Sequence, residues 1–243
     1  LWDAFGEDAS IDKKDSRRPN ADSLITQLSR IARDVGDFDG LRRHDSKFEK
    51  LRDQLLEYWR RNSGAKVVLF AYFRDTLTYL SERFAEIGVD SVVLMGGMDK
   101  PAALAKFKAA DGPRLLLASE VASEGIDLQF SSLLVNYDLP WNPMRIEQRI
   151  GRIDRIGQKS ERIVILNLFL GGSLDERVYV RLFERLRIFE RALGSIEGIL
   201  GEMIREMSFD LLRHDLSDEE EVQVIEQTCV AVEQRSRIED NLE

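Results

Sequence analysis

The sequence predicts an α/β fold in which a parallel sheet is covered by helices on both faces and flanked by helical extensions. Two observations carry that prediction. Apolar runs of strand length occupy 66–71, 91–95, 114–118, 133–137 and 162–169. Between them, 75–87, 100–109 and 143–155 show helical periodicity. Fully apolar strands separated by helices belong to a sheet buried on both sides. Such sheets gather ligands beyond the carboxyl ends of their strands, so chemistry is expected in the segments that follow each run. The 243 residues suffice for one full core plus flanking elements.

In chain order, residues 1–20 are charged, lack periodicity and read as a linker or loop. A helix over 21–36 follows, with Leu24, Leu28 and Ile31 on one side. Ser46 and Glu49 have the spacing of a capping box for a helix to about Arg61. That helix turns Phe48, Leu51, Leu55 and Tyr58 or Trp59 inward. Beyond the sheet, Ser173 and Glu176 repeat the capping-box spacing and open a helix to about Leu193. Its apolar stripe is Val178, Leu182, Leu186, Phe189 and Leu193. The other face carries Arg177, Arg181, Arg185 and Arg187, either solvated or bracing a further lobe or DNA. Ile196, Ile199, Met203 and Ile204 mark another helical segment, and Asp218–Glu221 open a last helix containing Val222, Val224, Ile225 and Val230. That last helix is expected to dock on something outside the chain. The organisation is therefore an N-terminal linker and helical segment (1–44), a sheet-containing lobe (45–172) and a helical extension with an acidic tail (173–243).

The most informative stretch is QRIGRIDRIGQ at 148–158. On a helix advancing about 100° per residue, Ile146, Ile150 and Ile153 form a stripe that can seat on the sheet. Gln148, Arg152 and Arg155 repeat the same spacing on the opposite side. Asn142 suits the helix cap and Pro143 its first position. Two guanidiniums and an amide on an anchored helix make a preset fork for a polyanion.

Composition narrows the classes. The formal charge is −9, but residues 201–243 hold 13 acidic and 4 basic side chains and account for all of it. Residues 141–191 hold 11 basic and 7 acidic side chains. The acidic balance therefore does not exclude a nucleic-acid partner. One cysteine, Cys229, excludes a disulfide framework within the chain and reads as a packed thiol. No signal peptide and no apolar run of about 18 residues occur, so a soluble, cytoplasmic protein without a membrane partner is expected, nucleoid-associated if bacterial. His44 and His214 lack partners at metal-ligand spacing, and no metal site is expected. Trp141, in a loop before the 143–155 helix, fits stacking on a sugar or base, contact with another lobe, or plain packing.

QRIGRIDRIGQ resembles motif VI of the superfamily-two helicases in the form used by Swi/Snf-type ATPases. Four ordered segments extend the likeness over about residues 45–170. Lys66–Arg74 resembles motif IV, and Leu94–Met98 the turn after the next strand. Ala118–Gln129 resembles motif V, and Asn136–Pro143 the segment leading into motif VI. The wording of motif V and of residues 138–158 is similar to the bacterial branch that includes RNA-polymerase-associated Swi/Snf ATPases. One departure stands out: the helix after Gly96-Gly97 supplies Lys100 where the family usually has an arginine.

The resemblance implies a second RecA-like lobe. Arg152 and Arg155 match the family's arginine fingers and Gln148 the leading glutamine of the motif. Glu124, Gly125 and Asp127 match positions lining the ATP cleft, though helix-start capping also accounts for the acidic pair. Arg74, Gly96, Gly97, Ser119, Ala122 and Trp141 fall where nucleic acid is contacted. ATP and Mg²⁺ would be bound mainly by a first RecA-like lobe of the same polypeptide, and double-stranded DNA is the expected partner. No Gly-x-x-x-x-Gly-Lys-Ser/Thr run and no metal-holding Asp-Glu run after a strand occur here. With its leucine start, the chain is read as a fragment that cannot hydrolyse ATP alone. Two other readings stay open: an ATPase acting on a protein–DNA assembly such as RNA polymerase or a defence complex, and a non-catalytic docking module.

Overall fold

The computed structural model describes residues 26, 29–30, 33, 38–120, 125–155, 157–158, 160, 162–183, 197–213 and 216–240. The expected stripe of Leu24, Leu28 and Ile31 lies outside them, as do Arg185, Leu186, Arg187, Phe189, Leu193 and Ile196. Helices α1 (Phe38–Arg43) and α2 (Ser46–Arg61) lead into β1 (Val67–Phe70) and α3 (Arg74–Glu86). Then come β2 (Ser91–Leu94), α4 (Lys100–Lys108), β3 (Leu115–Ala118), β4 (Leu133–Asn136), α5 (Pro143–Ile153) and β5 (Val164–Asn167). A short α6 (Leu174–Val178) runs into a π-helical stretch (Tyr179–Phe183), followed by α7 (Glu197–Arg213) and α8 (Asp218–Asp240).

The strands form one parallel sheet in the order β2-β3-β1-β4-β5. Because strand side chains alternate, each strand feeds two cores. Val67, Leu69, Leu115, Leu117, Leu133 and Val135 meet Phe48, Leu51 and Leu55 of α2 and Leu77, Leu80 and Phe84 of α3. Val68, Phe70, Leu116, Ala118 and Leu134 meet Phe107 of α4 and Ile153 of α5. The three central strands are buried along their whole length, as their apolar runs require. The edges correct the expectation of uniform burial: β2 alternates buried with half-exposed, and β5 begins with an exposed Val164.

A third core lies beside the sheet. Leu139, Met144 and Ile146 pack with Val178, with Leu200, Ile204, Met207 and Leu211 of α7, and with Ile225, Cys229 and Val232 of α8. The last helix therefore docks within the chain, contrary to expectation, and Cys229 is the packed thiol foreseen. The arginine face is not simply solvated either. Arg177 pairs with Glu221 at 2.5 Å and Asp218 at 3.3 Å, and Arg181 approaches Glu226 at 3.9 Å. The acidic start of α8 thus meets the basic side chains of the preceding layer. Among the described residues, no helix is long and apolar enough to cross a membrane, and no cluster of possible metal ligands occurs.

One cap needs correction and two stand, one of them without its full box. Asp45, not Ser46, caps α2: its Oδ1 accepts from the Phe48 amide at 3.0 Å, while Oδ2 accepts from the Tyr79 hydroxyl at 2.8 Å. Asp45 reaches both because α3 packs beside α2, information a local spacing rule lacks. For α6, Ser173 accepts from the Glu176 amide at 3.3 Å, but the Glu176 carboxylate takes the Gly172 amide rather than closing the box on Ser173. Asn142 caps α5 as expected, its Oδ1 accepting from the Met144 amide at 3.0 Å, with Pro143 at the first position. Asp45→Ala is expected to lower stability by about 1–2 kcal/mol, the worth of a cap. Ser46→Ala should stay within about 0.5 kcal/mol. Urea unfolding of the two variants tests the assignment.

Candidate nucleotide and nucleic-acid sites

The edge strand β2 and the central strands β3 and β1 are neighbours, so the segments leaving their carboxyl ends stand side by side. The Gly96-Gly97 turn follows β2. Gly97 has a φ of +87°, open to glycine but strained for other residues, and the Met98 amide closes the turn on Met95 O at 3.2 Å. Ser119 follows β3 with its amide on Leu94 O at 3.0 Å and is nearly buried. Arg74 follows β1 as the first residue of α3, exposed, at a helix start without a side-chain cap. Asp138, just past β4, holds this edge together: its carboxylate accepts from the Tyr72 amide at 3.0 Å and pairs with Lys47 at 3.4 Å. Between these groups lies Tyr137, whose phenol is pushed far above its ordinary range by burial and then by Asp45 and Asp138, so it stays neutral.

Helix α5 runs back across the sheet, and its far end lies at the strands' amino edge. There the Leu128 amide donates to Arg152 O at 3.0 Å, and Gln158 Nε2 donates to Ser131 O at 3.0 Å. Ser131 in turn donates to Lys66 O, the residue before β1, at 2.7 Å. Motif V therefore begins at the carboxyl edge with Ser119 and ends beside Arg152 with Asp127 and Leu128. This corrects the expectation that all its residues gather at the carboxyl edge. Gly125 has a φ of +73° and is exposed, and Asp127 accepts from the Gln129 amide at 3.1 Å, a local turn. Ala122 and Glu124 lie outside the described residues.

The α5 helix ends at Ile153, with Asp154 as its C-cap, so Arg155 is not on the helix as predicted. It follows a turn, and its Nε donates back to Gly151 O at 3.0 Å. Gly157 has a φ of +105°, and a Cβ there would come within 2.9 Å of the Gln129 amide oxygen, so the chain closes tightly on motif V at this point. The isoleucine stripe also divides: Ile146 and Ile150 pack on the C-terminal helices and only Ile153 reaches the sheet core. Arg152 is half-buried and Arg155 and Gln148 are exposed. Among the described residues, no carboxylate forms an ion pair with Arg152 or Arg155. Trp141 is half-buried against the third core, and its indole N–H donates to Asp175 Oδ1 at 2.7 Å. Packing accounts for its placement, with part of the ring left accessible.

Sequence reasoning missed Arg149. It is 1% exposed, yet it stands next to the isoleucine stripe in a helix rich in arginine. Its Nε donates to Glu120 Oε2 at 2.9 Å, its Nη2 to the same oxygen, and its Nη1 to Asn136 Oδ1 at 2.7 Å. The guanidinium lies over the Phe70 ring, 5.0 Å from its centroid. The signal available was position: Arg149 lies about 60° from Ile146 around the helix, on the buried side. Asn136, a polar residue closing an apolar strand, was its cue. Arg149→Ala is expected to destabilise the fold by about 3 kcal/mol or more, because Glu120 and Asn136 lose their partner. Arg152→Ala should change stability by about 0.5 kcal/mol or less. Thermal or urea unfolding of both variants separates these roles.

Residues 46–157 match the family model for the helicase conserved C-terminal domain. The uncharacterized ATP-dependent helicase YqhH of Bacillus subtilis (strain 168) is 36% identical over 160 residues, 64% of this chain. The chain spans only 28% of that protein's length. The C-terminal part of the Fun30 ATPase domain shares the fold with a TM-score of 0.53 at 20% identity, over 75% of this chain and 61% of that one. The five-stranded parallel sheet and these likenesses agree on a RecA-like fold, and residues 46–157 are similar to the conserved C-terminal domain of helicases.

Proposed function

We propose that this chain is the second motor lobe of a Swi/Snf-type ATP-dependent translocase on double-stranded DNA. Arg152 and Arg155 would act as arginine fingers, with Gln148, Glu124, Gly125 and Asp127 around the nucleotide. ATP and Mg²⁺ would be held mainly by a first RecA-like lobe. Arg74, Gly96, Gly97, Ser119, Ala122 and the accessible part of Trp141 would form the DNA track.

The observation that carries this reading is the contrast among three arginines of one motif. Arg149 is spent inside the fold, whereas Arg152 is half-buried next to the Asp127-Leu128 turn and Arg155 is exposed, and neither has an acidic partner among the described residues. A phosphoryl-transfer site needs positive charge delivered only on assembly of the two lobes, and guanidiniums that pair with no described carboxylate supply it. Among the described candidates, Arg152 and Asp127 lie toward the amino edge of the sheet and Ser119 and the Gly96-Gly97 turn at its carboxyl edge, so closure on ATP would displace the track as a rigid body.

In the intact two-lobe protein, Arg152→Ala or Arg155→Ala should cut ATP turnover by about 10²-fold or more. DNA-stimulated turnover that stays within about threefold of wild type would mean loss of a surface charge only. The 243-residue chain alone, lacking a phosphate loop, should show no ATPase above background with or without DNA. Turnover that follows the chain through repurification would end the half-site reading.

Duplex binding by the lobe should be weak, salt-dependent and equal across unrelated sequences, since phosphate contacts carry no base information. Arg74→Ala should weaken every duplex alike in a fluorescence titration. A tenfold preference for one sequence, about 1.4 kcal/mol, would point instead to a sequence-reading module.

A further inference from the structure

Arg149 does not stop at Glu120. Asn136, which accepts from Arg149 Nη1 at 2.7 Å, donates through Nδ2 to Asn167 Oδ1 at 2.7 Å. Asn167 Nδ2 then donates to the Tyr179 hydroxyl at 3.2 Å. Asn136 and Asn167 are direct partners in the β4–β5 register, so the pleat sends both side chains to the same face of the sheet. Tyr179 opens the π-helical stretch and packs on the third core, with Phe169 5.3 Å away ring to ring. An uninterrupted polar line thus runs from the start of motif V, through the motif VI helix and the ends of two strands, into the C-terminal helical layer.

Each amide in the line gives one donor and one acceptor along it, so its orientation is set by its neighbours. A carboxamide rotated end for end at either asparagine would face donor with donor or acceptor with acceptor. Arg149 sits three residues before Arg152, less than one helical turn away. Anchoring the Arg149 guanidinium restrains the turn of α5 that also carries Arg152.

We infer that Arg149 is a positioning residue for the Arg152 turn, clamped on one side by Glu120 and on the other through Asn136 and Asn167 by Tyr179. The C-terminal helices are then part of the finger's mounting, and a disturbance at Tyr179 reaches motif VI without passing through the apolar core. The functional meaning of this mounting rests on the finger reading above, but the mounting itself is testable on the 243-residue chain without ATP.

The probe is the solvent exchange of the Arg149 Nε–H proton, followed by NMR alongside the backbone amides of β3. Glu120→Gln, which weakens the direct clamp, should speed Nε–H exchange by about tenfold, as expected for a hydrogen bond that loses its charge. Tyr179→Phe keeps the ring and removes only the far hydroxyl. It should speed Nε–H exchange by about fivefold, the effect of one neutral hydrogen bond, with the β3 amides unchanged. Nε–H exchange within about twofold of wild type in Tyr179→Phe, while Glu120→Gln responds, would overturn the inference, since the line would end at Asn136. Equal acceleration of Nε–H and of the β3 amides would also overturn it, because the hydroxyl would then act on global stability alone. Neither result bears on ATP turnover by Arg152, so failure here is separable from failure of the finger reading.

Discussion

The burial of the Arg149 guanidinium is the constraint on which the carboxyl edge of the sheet depends. A charge taken out of water is tolerated only when it is paired and its donors are satisfied. Here Glu120, Asn136 and the face of Phe70 meet that demand together. Each stands at the carboxyl end of a different strand or just past it: Phe70 closes β1, Asn136 closes β4 and Glu120 follows β3. One side chain therefore ties three strand ends to the helix above them. The same geometry explains why the apolar strand β4 finishes in a polar residue, Asn136.

A second consequence follows from the direction of α5. A helix that crosses back over a parallel sheet has its start at one edge and its end at the other. Asn142 and Trp141 stand near the carboxyl ends, whereas Arg152 and Gln158 stand near the amino ends, beside Leu128 and Ser131. Motif V makes the same crossing. The sheet thus presents two separated edges joined by α5.

The C-terminal helices belong to this arrangement. The upper half of α5 gives Met144 and Ile146 to their core rather than to the sheet. Arg177 and the acidic start of α8 add an ion pair in which Arg177 is 19% and Glu221 15% exposed, and that degree of shielding from solvent strengthens it beyond a surface pair. Aromatic packing of Phe169 on Tyr179 seats the π-helical stretch on the same layer.

Much of the fold was legible because it depends on local pattern. The five strands lie within the five apolar runs, since burial on both faces demands unbroken apolar sequence. Asn142 and Pro143 start α5 where they should, because capping is decided within four residues. The candidate residues at the carboxyl edge were legible by motif order. Their adjacency came only from the strand order, which places β3 between β2 and β1. What local pattern does not encode is which neighbour arrives from a distance. Asp45 was chosen over Ser46 as a cap partly by Tyr79, thirty-four positions away. The last helix found its cover within the chain, in α7 and the π-helical stretch. Arg149 and Arg152 have the same side chain and lie three positions apart, so sequence determined that motif VI would be rich in guanidinium groups. Only the tertiary structure decided which was buried, because that depends on where Glu120 and Asn136 are brought by the closing of the sheet.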